Sequence, residues 1–182
     1  MKTEKLSTKT ELGLLHIDVT VDCSQWNDIL PGAPTLARNA CYAVFNKVRT
    51  VSSDQIAEVS ILLSNNVLVR SLNSEYRNRD EPTNVLSFPN AINETPLTSL
   101  PLLLGDIVVA FETLVSEASA ENKSKSDHLC HLIIHGMLHL LGFDHQVPAE
   151  ADIMENIEIN ILQNLNVANP YQVRASKGGV ST

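Results

Sequence analysis

The stretch DHLCHLIIHGMLHLLGFDH, residues 127–145, carries five of the chain's six histidines: His128, His131, His135, His139 and His145. Its apolar residues are dense and helically spaced, which predicts a long helix over Asp127–Leu141. His135 and His139 lie four residues apart. At about 100° per residue, their side chains stand one turn apart on the same face. Two imidazoles so placed can converge on one cation. Gly142 follows where a left-handed residue can end the helix and let the chain reverse. That reversal can bring back His145, six residues past His139, as a third donor.

Outward from this helix, the pattern alternates between strands and helices. Leu12–Val21 (LGLLHIDVTV) is rich in β-branched and aliphatic residues and reads as a strand. Pro31–Pro34 reads as a loop, with Thr35 as N-cap of a helix through Arg49. Trp26 falls in a loop and carries no signal. Ile56–Leu63 is a second strand, and Asn65 or Asn66 opens a helix to Arg77. Asn84–Phe88 is a short strand, residues 90–101 a surface loop, Leu103–Ala110 another strand and Glu112–Ala120 a helix. Pro148–Leu165 is a last amphipathic helix, its first turn acidic (Glu150, Asp152) as the helix dipole favours. This order predicts an α+β fold: a small mixed β-sheet of about four strands packed with helices. The domain organisation expected is a flexible N-terminus (1–11), one domain (12–171) and a flexible tail (172–182).

The chain has 182 residues, enough for one domain. Apolar residues make up 43% and charged residues 19%, so a core can be buried and wholesale disorder is excluded. A net charge of −8 excludes nucleic-acid binding by bulk charge and leaves a local basic face open. The three cysteines (Cys23, Cys41, Cys130) are odd in number and form no C-x-x-C pair, which favours a reducing cytoplasm over a disulfide framework. MKTEKLSTKTELG lacks the apolar core of a secretory signal. No apolar run approaches the roughly 20 residues of a membrane helix. The expected location is cytoplasmic, with no membrane partner.

The spacing H-x-x-x-H-x-x-G-x-x-H over 135–145 is that of metzincin metalloproteases, glycine included. It predicts a zincin-like metal helix. Paired histidines on an apolar helix commonly serve packing; the third histidine and the glycine favour a metal. Three neutral imidazoles leave a tetrahedral ion one open position, as in a catalytic site. With nitrogen donors and no thiolate, Zn²⁺ fits best, although nickel or copper could also bind. Such an ion lowers the pKa of a bound water to about 7. Peptidases of this spacing place a glutamate general base directly after the first histidine. Here that position is Gly136, so the peptidase alternative lacks its acid/base group.

Two long blocks resemble one family. HGMLHLLGFDH (135–145) resembles the signature H-G-x-L-H-L-x-G-[YF]-D-H of the YbeY family of bacterial endoribonucleases and rRNA maturation factors. LNSEYRNRDEPTNVLSFP (72–89) is similar to that family's L-N-x-x-[YF]-R-x-x-D-x-P-T-[DN]-V-L-S-F-P. LGDIVVA (104–110) and the ending Asn169-Pro170-Tyr171 also fit. The resemblance implies a zinc-dependent, single-strand-specific endoribonuclease acting in 16S rRNA 3′-end maturation and 70S ribosome quality control. It implies one Zn²⁺ per chain on His135, His139 and His145, at one end of a cleft in a mixed-sheet fold. It places the family's functional arginine on Arg77. The partners implied are single-stranded RNA (an rRNA precursor), the ribosome or its 30S subunit, and ribosomal proteins. Another alternative is a ribosome-binding maturation factor whose metal is structural.

Arg77 ends a helix, where it can be a solvated charge or a guanidinium that grips a phosphate. Arg70 and Arg79 are candidate RNA contacts in a local basic strip that Lys123 and Lys125 could extend, or plain surface charges. As a fourth ligand His131 would close the open site, so it reads rather as a supporting group behind the metal, a proton shuttle or a buried side chain. Asp144 can accept a ligand N–H or cap its own turn. Asp106, on a central strand, needs a partner if buried and can orient a ligand histidine or pair with Arg77. Cys130 reads as core, His16 as an ordinary surface or satisfied histidine, and Ser87 and Tyr76 as weak candidates for substrate contact.

Overall fold

Strand β1 (Leu15–Val21) alternates buried Leu15 and Ile17 with exposed His16 and Asp18, the period-two signature of a half-buried strand. Strands β2 (Ala57–Ser64), β3 (Val85–Pro89) and β4 (Leu102–Ala110) join it in one sheet of order β1-β2-β4-β3. The first three run parallel, and β3 pairs antiparallel with β4, so the sheet is mixed. These elements come from a computed structural model that describes residues 15–48, 56–90 and 101–172. Its six described helices are α1 (Gln25–Ile29), α2 (Ala33–Val48), α3 (Asn66–Arg77), α4 (Phe111–Ala120), α5 (Lys125–Leu140) and α6 (Pro148–Asn164). The class is α+β in a single domain, in agreement with the element order. Residues 1–11, nearly all of the tail and positions 91–100 of the expected loop lie outside the described residues.

The two faces of the sheet bury different sets. Ile17, Val59, Ile61, Leu63, Ile107 and Val109 share one core with Ala37, Ala40 and Val44 of α2 and Leu129, Ile133 and Met137 of α5. Leu86, Val108 and Ala110 face the other way, onto Val69 of α3. Each fully buried aliphatic side chain contributes roughly 1.5–3 kcal/mol. α5 therefore lies along the sheet's main face, anchored on both sides. Its N-terminus is capped by Ser124, whose Oγ accepts the Asp127 N–H at 3.0 Å.

Three local expectations are corrected. Trp26 lies in the short helix α1 and is fully buried. Its Nε1 donates to the Ser64 carbonyl at 2.9 Å, and its ring packs edge-on against Phe111. A five-residue helix is too short to show a period, which is why a loop was expected there. α2 begins at Ala33, so Thr35 lies inside its first turn. Pro34 is tolerated there because first-turn N–H groups have no helical partner. Asp106 is exposed: alternation turns Ile107 toward α5 and Asp106 to the opposite face, where it shares a cleft with Asp18, Ser60 and Tyr76. It neither reaches a histidine of α5 nor pairs with Arg77.

Gly105 holds β4 against β3. Its φ of +134° is a conformation L side chains rarely adopt, and a Cβ there would fall 2.1 Å from the Phe88 carbonyl oxygen. Gly105→Ala is expected to lower the unfolding free energy by at least about 3 kcal/mol in urea denaturation. Gly32→Ala, where a Cβ meets nothing within 4 Å, is expected to stay within about 0.5 kcal/mol of wild type.

Candidate functional site

The end of α5 sets the geometry of the histidines. Gly142 adopts φ +88°. The Phe143 N–H then donates back to the Leu138 carbonyl at 3.1 Å, and the Gly142 N–H to that of His139 at 3.0 Å. These two bonds form a Schellman closure, the helix stop expected at this glycine. The turn brings the Phe143 carbonyl over His139, whose Nδ1 donates to it at 3.0 Å. Asp144 accepts the backbone N–H of His145 at 2.7 Å, so it caps the turn that carries His145.

His135 is held from another element. Its Nδ1 lies 2.9 Å from Oε1 of Glu158, a fully buried carboxylate on α6. The other Glu158 oxygen is 3.2 Å from Nε2 of His131 and accepts the Tyr171 hydroxyl. A carboxylate and a carbonyl can only accept, so in both His135 and His139 the proton sits on Nδ1. The two Nε2 lone pairs are thereby turned toward each other, 3.1 Å apart. One donor atom from each of His135, His139 and His145 lies within 4.8 Å of the others. Two facing lone pairs repel unless a cation or proton stands between them. An all-imidazole donor set in the neutral form thus fits a divalent transition metal.

The electrostatics agree with a neutral His139 and an ionised Glu158. Burial, reinforced by the neighbouring His135 and His145, lowers the pKa of His139. Burial pushes Glu158 up, but hydrogen bonds from His131, His135 and Tyr171 together outweigh it and bring its pKa down to about 2.

A cleft of about 280 Å³ opens over the three imidazoles and also contains Arg77, Ser87 and Tyr171. Arg77 is the last residue of α3, and its Nη2 donates to the Ser87 carbonyl on β3 at 3.4 Å. The structure thus brings Arg77 and the three histidines together. It does not bring Arg70 there: that guanidinium grips Asp80 through two bonds of 2.7 and 2.8 Å, in a different depression. Arg79 is exposed on the turn after α3. Lys123 is paired with Glu121, and its Nζ also donates to the Pro170 carbonyl at 3.4 Å. His128 turns away to Glu117 at 2.7 Å. Gly136 presses α5 onto the sheet, where a Cβ would sit 3.0 Å from Ser87 Oγ and 3.1 Å from Ile107 Cγ2. Any side chain at that position would crowd the sheet.

Glu158 and Tyr171 are the site residues that sequence reading did not single out. The available signal was an acid inside the buried stripe of α6, with Met154 four residues before it and Ile161 and Leu162 three and four after. A carboxylate among such neighbours must have partners.

Comparisons with known proteins fall on one family. The family model described as Endoribonuclease YbeY matches residues 27–166. A protein named Endoribonuclease YbeY from Azorhizobium caulinodans is 44% identical over 164 residues, covering 88% of this chain and 99% of its own. One of the same name from Paramagnetospirillum magneticum is 39% identical over 159 residues, covering 86% and 96%. Among solved structures, the solution structure of TM1509 from Thermotoga maritima covers 87% of this chain and all of its own at 20% identity, with a TM-score of 0.48.

The lowered pKa of Glu158 gives a pH dependence with a definite sign. A carboxyl whose folded pKa (about 2) lies below its ordinary value of 4.5 stabilises the fold above 4.5. That contribution is lost as pH falls toward the folded value. In metal-free protein, the stability difference between wild type and Glu158→Gln is expected to shrink between pH 4.5 and 2, measured by denaturant unfolding at each pH.

Proposed function

This chain belongs to the endoribonuclease YbeY family, and we propose that it is a zinc-dependent endoribonuclease that cuts single-stranded RNA. Its substrate in this reading is an rRNA precursor, in 16S rRNA 3′-end maturation and 70S ribosome quality control. The observation that carries the reading is a single cleft holding both three convergent imidazoles and the Arg77 guanidinium.

In this proposal α5 is a zincin-like metal helix, and His135, His139 and His145 hold one ion. The nitrogen-only donor set favours Zn²⁺. When bound, the ion supplies Lewis acidity and a water of lowered pKa, about 7. Arg77 binds the scissile phosphate, since a guanidinium can give two parallel N–H donors to two phosphoryl oxygens. Those donors also stabilise the charge that grows on the oxygens as the phosphodiester opens. Anchoring of Arg77 on the Ser87 carbonyl restricts the guanidinium before substrate arrives. Gly136 weighs against the metallopeptidase alternative, because it supplies no general-base carboxylate and its Cβ position is crowded by Ser87 and Ile107.

Binding to the ribosome in this reading runs through protein contacts. The net charge is −8, and Arg70 is neutralised by Asp80, which leaves Arg77 and Arg79 as the candidate RNA contacts of this segment. No described helix is long and apolar enough to cross a membrane.

Fluorescent single-stranded RNA tests the mechanism. Chelator is expected to stop cleavage and added Zn²⁺ to restore it. Arg77→Glu is expected to reduce the rate by about 10²–10³-fold or more, with metal content and melting temperature unchanged. Chelator-insensitive cleavage, or a fully active Arg77→Glu, would contradict the mechanism. A purely structural metal would instead show as global unfolding in His139→Ala, by circular dichroism, with Arg77→Glu still functional.

A further inference from the structure

The buried carboxylate of Glu158, which accepts the Nδ1 proton of His135, is the most heavily engaged acid behind the cleft. Its side chain is fully buried on α6 and meets three groups from two other segments: His131 and His135 of α5, and Tyr171 beyond the end of α6. Such a charge is costly to bury, so its partners must be worth the desolvation. Only one of them, His135, is a candidate metal ligand.

We propose that Glu158 is the positioning residue of the metal centre, fixing His135 in the tautomer and orientation that bind a divalent cation. The proposal rests on the metal-site reading above. A neutral imidazole carries a single ring proton. With that proton on Nε2, the His135 Nδ1 lone pair would face a carboxylate oxygen at 2.9 Å, and the nitrogen facing His139 would be blocked. With the proton on Nδ1, the carboxylate accepts it and Nε2 is free. Glu158 therefore separates two forms that are close in energy for a histidine in water. The Phe143 carbonyl does the same for His139, but as a fixed part of the backbone turn. Glu158 is the side chain through which the other of these two ligands can be tuned. His131 and Tyr171 hold the second carboxylate oxygen and keep the first aimed at His135. This gives His131 an indirect place in the site: it braces the brace, with its own ring centroid 6.3 Å from that of His135.

Titration of the full chain with Co²⁺ alone, followed by its visible absorption, and with Zn²⁺ against a competing chelator, tests the proposal. Glu158→Gln keeps the shape and removes the charge. It is expected to weaken both metals by about 10- to 100-fold relative to wild type. Glu150→Gln, an exposed change of equal charge on the same helix, is expected to leave both affinities within about twofold. Wild type that binds metal, with Glu158→Gln binding as tightly, would overturn the role of Glu158 and leave the metal site standing. Wild type that binds neither metal would overturn both. Should Glu158→Gln fail to fold, ¹⁵N imidazole spectra of metal-free wild type decide the matter. The expected pattern for His135 is a protonated Nδ1 with a bare Nε2, and a dominant Nε2–H form would contradict the proposal.

Discussion

Two imidazole nitrogens face each other at 3.1 Å across the end of α5, each on a ring whose other nitrogen is already donating. This arrangement stores repulsion, because both facing atoms carry lone pairs. It is tolerable only because each ring is fixed from behind, His139 by the Phe143 carbonyl and His135 by Glu158. A cation placed between them turns the same repulsion into coordination. Spacing along a helix is necessary for this, but it does not suffice. The rings must also be held in one tautomer, which takes a backbone turn in one case and a buried charge on another helix in the other.

The sheet contributes by dictating how close α5 can come. Gly136 sits where the helix touches Ser87 and Ile107, and the missing side chain lets the backbone settle directly on β3 and β4. The same contact that crowds this position places β3 beside the imidazoles. Because α3 ends where the chain turns into β3, Arg77 arrives at the edge of the cleft and is pinned to the Ser87 carbonyl. The histidines and the arginine thus come from elements that pack together where a glycine permits a close approach.

Much of this could be read from the chain because it is local. Strand alternation gave the sheet, and the order of elements gave its class. The HxxxH spacing and Gly142 needed only helix geometry and one left-handed residue. What escaped the sequence is tertiary. Glu158 lies 23 residues from His135, and its role depends on where α6 packs. Asp106 had the residue type and segment of a supporting carboxylate, but a period of two sends it to the far face. Arg70 shares a helix with Arg77, yet Asp80 captures it after the turn. Trp26 fell in a segment too short to show any period, and only the fold reveals it as a buried anchor on Ser64.

X-ray absorption at the zinc edge, on protein loaded with one equivalent of Zn²⁺, examines the convergence of the imidazoles most directly. The account requires three histidine nitrogens at about 2.0–2.1 Å, with the remaining position filled by a light oxygen donor. A sulfur shell near 2.3 Å, or fewer than three imidazoles around the ion, would place the metal elsewhere and contradict it.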